Sequence, residues 1–153
     1  MAEINHIFSQ TQVQTLTAAL NRIIPAEGDM PGAGDLGVAN FIDGASAGDP
    51  RKTRLFVQGI AKIQVTSGRL TGKDFAEATA GEQDQTLQSV ETSDPAFFDA
   101  LVRQTYNGYY TNPIVFEAFG YSTPQPEIGG QPELLDKSLL EKQRQRAPFW
   151  TKV

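Results

Sequence analysis

Apolar residues in this chain recur at intervals of three and four, in blocks that open on a capping residue and close at a proline or glycine. That spacing places them on one face of a helix. In the first block Val13, Leu16, Leu20, Ile23 and Ile24 form the stripe. Its start is written in "FSQTQV", where Ser9 caps, Gln12 returns the bond and Phe8 staples onto Val13. Pro25 ends it, because the residue before a proline is pushed out of the α region. After the polar loop "AEGDMPGAG", "DLGVANFID" predicts a short second helix with Val38, Phe41 and Ile42 facing inward. Asp49-Pro50 opens a third, with Leu55, Phe56, Gly59, Ile60 and Ile63 as its stripe and Gly68 as its stop.

"LTGKDF" predicts a further start, with Thr71 and Asp74 as a capping box and Leu70 stapled to Phe75. Thr79 to Glu91 reads as a mostly polar helix holding Leu87 and Val90. Asp94 then caps and Pro95 opens a helix on which Phe97, Phe98, Leu101, Val102, Thr105 and Tyr109 cover one broad side. Asn112-Pro113 stops it, and a short aromatic turn, "IVFEAFGY", follows. No segment alternates with period two, so the class is all-α: a small irregular helical bundle over residues 1–121. Beyond Tyr121 the periodicity is lost in "STPQPEIGGQPE". Residues 122–153 therefore read as an extended C-terminal arm, with a short amphipathic helix at "LLDKSLLEKQRQR" and an end at "APFWTKV".

At 153 residues the chain has the length of one domain, and its mean hydropathy of -0.33 with 39% hydrophobic residues is a little polar for a self-contained globule. No apolar run approaches a membrane span. A formal net charge of -5 argues against nucleic acid or anionic lipid as partners, since both need a basic face. The absence of cysteine removes disulfides, thiolate metal sites and a cysteine nucleophile. The opening "AEINHIFSQ" has no basic region, apolar h-region or twin-arginine pair, so the expectation is a cytoplasmic chain, or a periplasmic one if the sequence is a processed form.

Candidate chemistry is sparse. "GAGDLG", Gly32 to Gly37, is a literal GxGxxG, yet the nucleotide fingerprint needs a strand before it, and here a helix broken at Pro25 precedes it. The competing reading is a tight loop with close helix packing. His6, the one histidine, lies near the start, where chains fray. Asp35, Asp49, Asp74 and Asp94 sit at helix starts, where capping accounts for them. The remaining carboxylates show no ligand-like spacing. "KQRQR", Lys142 to Arg146, is either a solvated helix end or a polar rim beside the apolar "APFW".

The rings change the picture. Of nine Phe, four Tyr and one Trp, eight fall between Phe97 and Tyr121. Phe97, Phe98 and Tyr109 suit a bundle core. Tyr106, Tyr109 and Tyr110, however, point around more than one helix face. Tyrosine and tryptophan combine an apolar body with a wet tip and favour interfaces. The expected partner-binding residues are therefore Tyr106, Tyr109, Tyr110, Phe116, Phe119, Tyr121, Phe149 and Trp150. No catalytic, cofactor-binding or metal-ligating residue is assigned.

Two stretches carry a resemblance. "LNRIIPAEGDMPGAGDLGVANFID" is similar to the N-terminal signature of the gluconate 2-dehydrogenase subunit 3 family: a helix ending in Ile-Ile-Pro, an acidic loop, Pro-Gly-Ala, Gly-Val and Phe-Ile-Asp. "FFDALVRQTYNGYYTNP" resembles its second signature, with Phe-Phe, a Thr three residues before Gly, an aromatic pair and a Pro. The likeness runs from Phe8 to Tyr121. It implies a non-catalytic small subunit whose partner is a large catalytic subunit of the glucose–methanol–choline oxidoreductase type, carrying FAD and oxidising a sugar or polyol. Some members work beside a cytochrome c subunit, and many bear a twin-arginine signal. Where the second signature is often followed by Gly-Gly-Asn, this chain has "IVFEAFGY". Two alternatives stay open from the residues: a stand-alone sugar-binding protein or enzyme using carboxylates such as Asp29 or Glu117 as acid and base, and a homo-oligomer pairing through its rings.

Overall fold

The structure, a computed structural model, describes residues 6–120 and, beyond them, Gln145 alone. The expected arm with Phe149 and Trp150 lies outside the described residues, as does Tyr121. Among the described residues there are six helices and no strand: α1 Gln10–Ile23, α2 Val38–Ala47, α3 Pro50–Thr71, α4 Ala80–Ser93, α5 Pro95–Tyr110 and α6 Pro113–Ala118. A 3₁₀ turn, Phe75–Glu77, links α3 to α4. The expected all-α bundle is what forms.

Five of the six starts are capped by side chains that the local sequence supplies. Ser9 and Gln12 exchange bonds as a capping box, and so do Thr79 and Glu82. Asp49, Asp94 and Asn112 each accept backbone N–H donors ahead of a helix whose first residue is proline. Proline loses nothing there, because that N–H has no intrahelical acceptor. The Glu82 carboxyl is held below its usual range by the Thr79 N–H and, next, by the Lys73 ammonium.

The long helix α3 is the spine, 22 residues and about 33 Å. It packs most extensively on α4 and also touches α1, α2 and α5. Phe56, Ile60 and Ile63 point into the centre, where Leu16, Leu20, Ile42, Phe75, Val90, Phe97, Leu101 and Val115 meet them, all buried to 2% exposure or less. Burying one such side chain fully contributes about 1.5–3 kcal/mol. Gly59 sets how close α5 can come: a Cβ there would collide with the ring of Phe97. On the outside, Arg22 of α1 grips Asp84 of α4 with two bonds, 2.8 and 2.7 Å. That pair raises the guanidinium pKa and holds the Asp84 carboxyl below its ordinary value.

Several local expectations are corrected. α3 does not stop at Gly68 but runs to Thr71, where Gly72 takes the left-handed conformation (φ 71°) that ends a helix at no steric cost. Thr71 therefore cannot cap a new helix: its hydroxyl donates to the Ser67 carbonyl and accepts the Lys73 N–H. Leu70 is half exposed and forms no staple, although Phe75 is fully buried. "IVFEAFGY" begins as a helix rather than a turn, started by Asn112 and Pro113. Phe41 is 41% exposed, because Gly108 leaves room for its ring at the surface rather than in the core.

Two alanine substitutions on α3 should act in opposite directions. Gly59→Ala should destabilise by about 1–3 kcal/mol through overpacking on Phe97. Gly68→Ala, exposed and open, should stabilise by about 0.5–1 kcal/mol. Urea denaturation of both variants checks the pair. Asp84→Asn should cost about 1 kcal/mol or less at neutral pH, since both partners are partly solvated. Because the folded carboxyl is shifted downward, this contribution is present above the ordinary value of 3.8 and fades as pH falls through the folded pKa. Wild type and variant should then melt alike in acid and differ at neutrality.

Candidate functional site

The rings of α5 divide by helical position. Phe97 and Tyr109 turn inward, at 0% and 5% exposure, and Phe98 is half-buried. Tyr106 and Tyr110, four residues apart on the opposite side, stand out at 45% and 47%. They stack with centroids 5.9 Å apart and planes 3° from parallel. Phe119, just past α6 and 64% exposed, lies 6.3 Å from Tyr110 and extends the row. Val115, buried, anchors α6 to the body, and Phe116 is half-buried beside it. The outcome is three rings in line on one surface, two of them with a hydroxyl at the rim.

Beneath the row, Tyr109 meets Tyr110 edge-on at 5.3 Å and reaches the loop before α2. Its hydroxyl donates to the Pro31 carbonyl, 3.2 Å. Burial pushes the phenol pKa up, and the neighbouring Tyr110 adds to the shift. Asn112 donates to the Leu36 carbonyl at 3.5 Å, and Asn21 of α1 accepts the Gly34 N–H at 2.8 Å. The loop is thus tied down from α1 and from the end of α5. Its glycines serve packing: a Cβ at Gly32 would lie 2.5 Å from Asn21 Oδ1, and one at Gly34 would strike the Thr17 carbonyl. The element ahead of "GAGDLG" is helix α1, so the strand–loop–helix context of a nucleotide fingerprint is not met.

Of the eight ring residues expected at a partner surface, the structure brings Tyr106, Tyr110 and Phe119 together on the outside. It places Tyr109 under them, and Phe116 is half-buried on α6. Tyr121, Phe149 and Trp150 lie outside the described residues. Exposed apolar side chains that escaped the sequence reading include Phe41, Val65 on α3 and Ile114, the last 56% exposed on α6. The glycine at 108 was the available signal for Phe41, because a gap in one helix face admits a ring from the next.

The carboxylates named as acid–base candidates, Asp29 and Glu117, are both exposed on the loop and on α6. Among the described residues no group of three His, Asp or Glu side chains could hold a metal ion. A shallow open depression of about 620 Å³ lies at the α2–α3 corner, lined by Ile7, Ala47, Pro50, Thr53, Arg54, Val57 and Gln58. Its one charge is Arg54. No helix among the described residues is long and apolar enough to cross a membrane.

Tyr109→Phe should cost about 0.5–1.5 kcal/mol by removing the bond to Pro31. In ultraviolet titration, a tyrosine that ionises above the ordinary value of 10 should vanish in this variant. Because the folded phenol pKa is raised, the stability it contributes is intact below its ordinary value of 10 and declines as pH rises above it.

Compared with known proteins, residues 10–124 match the family model described as gluconate 2-dehydrogenase subunit 3. No curated protein and no solved structure matches the chain. The match takes in both signatures, the tied loop and the ring row, and it spans well over half of the sequence. The chain belongs to the gluconate 2-dehydrogenase subunit 3 family.

Proposed function

We propose that this protein is the non-catalytic small subunit, of gamma type, in a heteromeric FAD-dependent sugar or polyol dehydrogenase, where it stabilises the flavin-bearing catalytic subunit or assists its folding. Membership of the subunit 3 family implies association with a catalytic dehydrogenase subunit, and FAD belongs to that partner in this reading. The observation that carries the docking surface is the row Tyr106, Tyr110 and Phe119, three large rings left to solvent beside a well-filled core. Aromatic anchors of this kind dominate the energetics of protein interfaces. In the proposed complex the row seats in an apolar recess of the large subunit, and the arm at 122–153 extends the contact. Electrons leave through a cytochrome c or another acceptor on the partner's side. The complex works in the cytoplasm, or in the periplasm if the chain is a processed form.

The test is co-expression with the catalytic subunit. Wild type should raise the yield of soluble, FAD-loaded, active enzyme and co-purify with it. Tyr110→Asp and Phe119→Asp should each weaken co-purification at least about tenfold, while the isolated chain keeps its helical circular dichroism and melting point. A catalytic subunit that is equally soluble, loaded and active without this chain counts against the reading. So does turnover of a sugar by this chain alone.

A further inference from the structure

Asp43, in the middle of α2, is 3% exposed, and its carboxylate has work outside its own helix. Its Oδ1 accepts the backbone N–H of Ile7 at 2.9 Å and of Phe8 at 3.2 Å. Its Oδ2 lies 2.8 Å from Nδ1 of His6. All three donors come from the short segment ahead of α1. Among the described residues Ile7 and Phe8 make no backbone–backbone bond, and one side chain accepts both of their N–H groups. The frayed start expected from the sequence is therefore corrected at His6: the imidazole is largely exposed but tethered.

We propose that His6–Phe8 is a strap with two states, clasped on Asp43 or released, and that release leaves the helical body folded. The clasp is what buries the carboxylate. Buried charge must be paired and hydrogen-bonded, and the motion that withdraws the three donors also admits water to replace them. Opening thus leaves no orphaned charge. The hinge is Ser9, extended at ψ 161° ahead of the first turn of α1. Two consequences follow from position. Phe8 lies against Phe56, centroids 6.5 Å apart, so release uncovers one side of Phe56. Ile7 forms one wall of the depression at the α2–α3 corner, so the shape of that depression depends on the clasp. Any contact made to Ile7 there biases the two states by its preference for one of them.

Amide hydrogen exchange by NMR on the full chain, in increasing sub-denaturing urea, tests the strap. The Ile7 and Phe8 amides should be protected at least about tenfold over an unfolded peptide, yet exchange by a local opening that urea accelerates far less than global unfolding. Ile63 and Leu101, deep in α3 and α5, should exchange more slowly and respond steeply to urea. Asp43→Ala should lower strap protection by about tenfold or more while Ile63 and Leu101 change by less than about threefold. Asp43→Asn, which keeps an acceptor for the two amides, should restore most of it. Strap amides that track Ile63 and Leu101 through the urea series would overturn the proposal. So would strap protection unmoved by Asp43→Ala, or an Asp43→Ala chain that cannot fold.

Discussion

The ring of Phe97 lies directly on the backbone of Gly59, and the arrangement of the helices depends on that contact. A glycine midway along the longest helix gives α5 a seat closer than any other residue allows. Phe97 then meets Phe56 edge-on, 5.8 Å between centroids and planes at 79°, and Phe56 is met from the far side by Phe8. Edge-to-face packing suits the quadrupole of each ring and adds about 0.5–1.5 kcal/mol per pair beyond area burial. Three rings and one missing side chain thus connect the segment before α1, the spine α3 and the ring-bearing helix α5. Interiors packed at crystal density tolerate little change of volume at such a point.

The two family signatures, separate in sequence, are one structural unit. The first runs from the end of α1 through the loop and into α2 as far as Asp43, and the second closes α5. Tyr109 and Asn112 of the second hold the carbonyls of Pro31 and Leu36 of the first. Gly108 admits Val38 and Phe41 against α5, at distances where a Cβ could not stand. Asn21 completes the fastening from α1 with the Gly34 and Asp35 N–H groups. The motif residues therefore account for the orientation of α5 relative to α2, and through it for where Tyr106 and Tyr110 face. The GxGxxG string serves packing here: a Cβ at Gly32 or Gly34 would collide with Asn21 or the Thr17 carbonyl.

How much of this is legible in the sequence depends on how local the cause is. Caps are written within four residues, so the starts of α1, α3 and α5 read directly from Ser9, Asp49 and Asp94, while the Thr79–Glu82 box that starts α4 went unread. Stops are less local. Gly68 and Gly72 are equivalent as letters and both have open space around them, yet it is Gly72, at φ 71°, that takes the left-handed turn. Depth is the least legible. Phe41 fits the inward stripe of α2 but lies instead, 41% exposed, against the gap left by Gly108, which is 67 positions away. His6 looks like a fraying end because its partner Asp43 is 37 residues distant. At the candidate site, the concentration of rings and their spread around α5 were readable. That Tyr109 supports and Tyr106 and Tyr110 face solvent follows from the loop that Tyr109 reaches.

The ring row is too small to hold a complex unaided. An aromatic side chain buries roughly 150–250 Å² when fully covered. With Tyr106, Tyr110 and Phe119 at 45%, 47% and 64% exposure, covering all three removes roughly 230–390 Å² from water. At about 25 cal/mol per Å² that is worth roughly 6–10 kcal/mol. Lost rigid-body freedom on association costs about 4–15 kcal/mol, which absorbs most or all of it. An obligate interface, moreover, buries upward of about 2,000 Å² in total. The row therefore has the character of an anchor, which sets where and in what register a partner sits. The remaining area has to come from other surface. Phe41 and Ile114 add apolar area to the helical body, and in the proposed assembly the chain beyond residue 121 supplies the larger share. In the proposed assembly, anchor and arm together would bind more firmly than either alone, because the first contact makes the second effectively intramolecular.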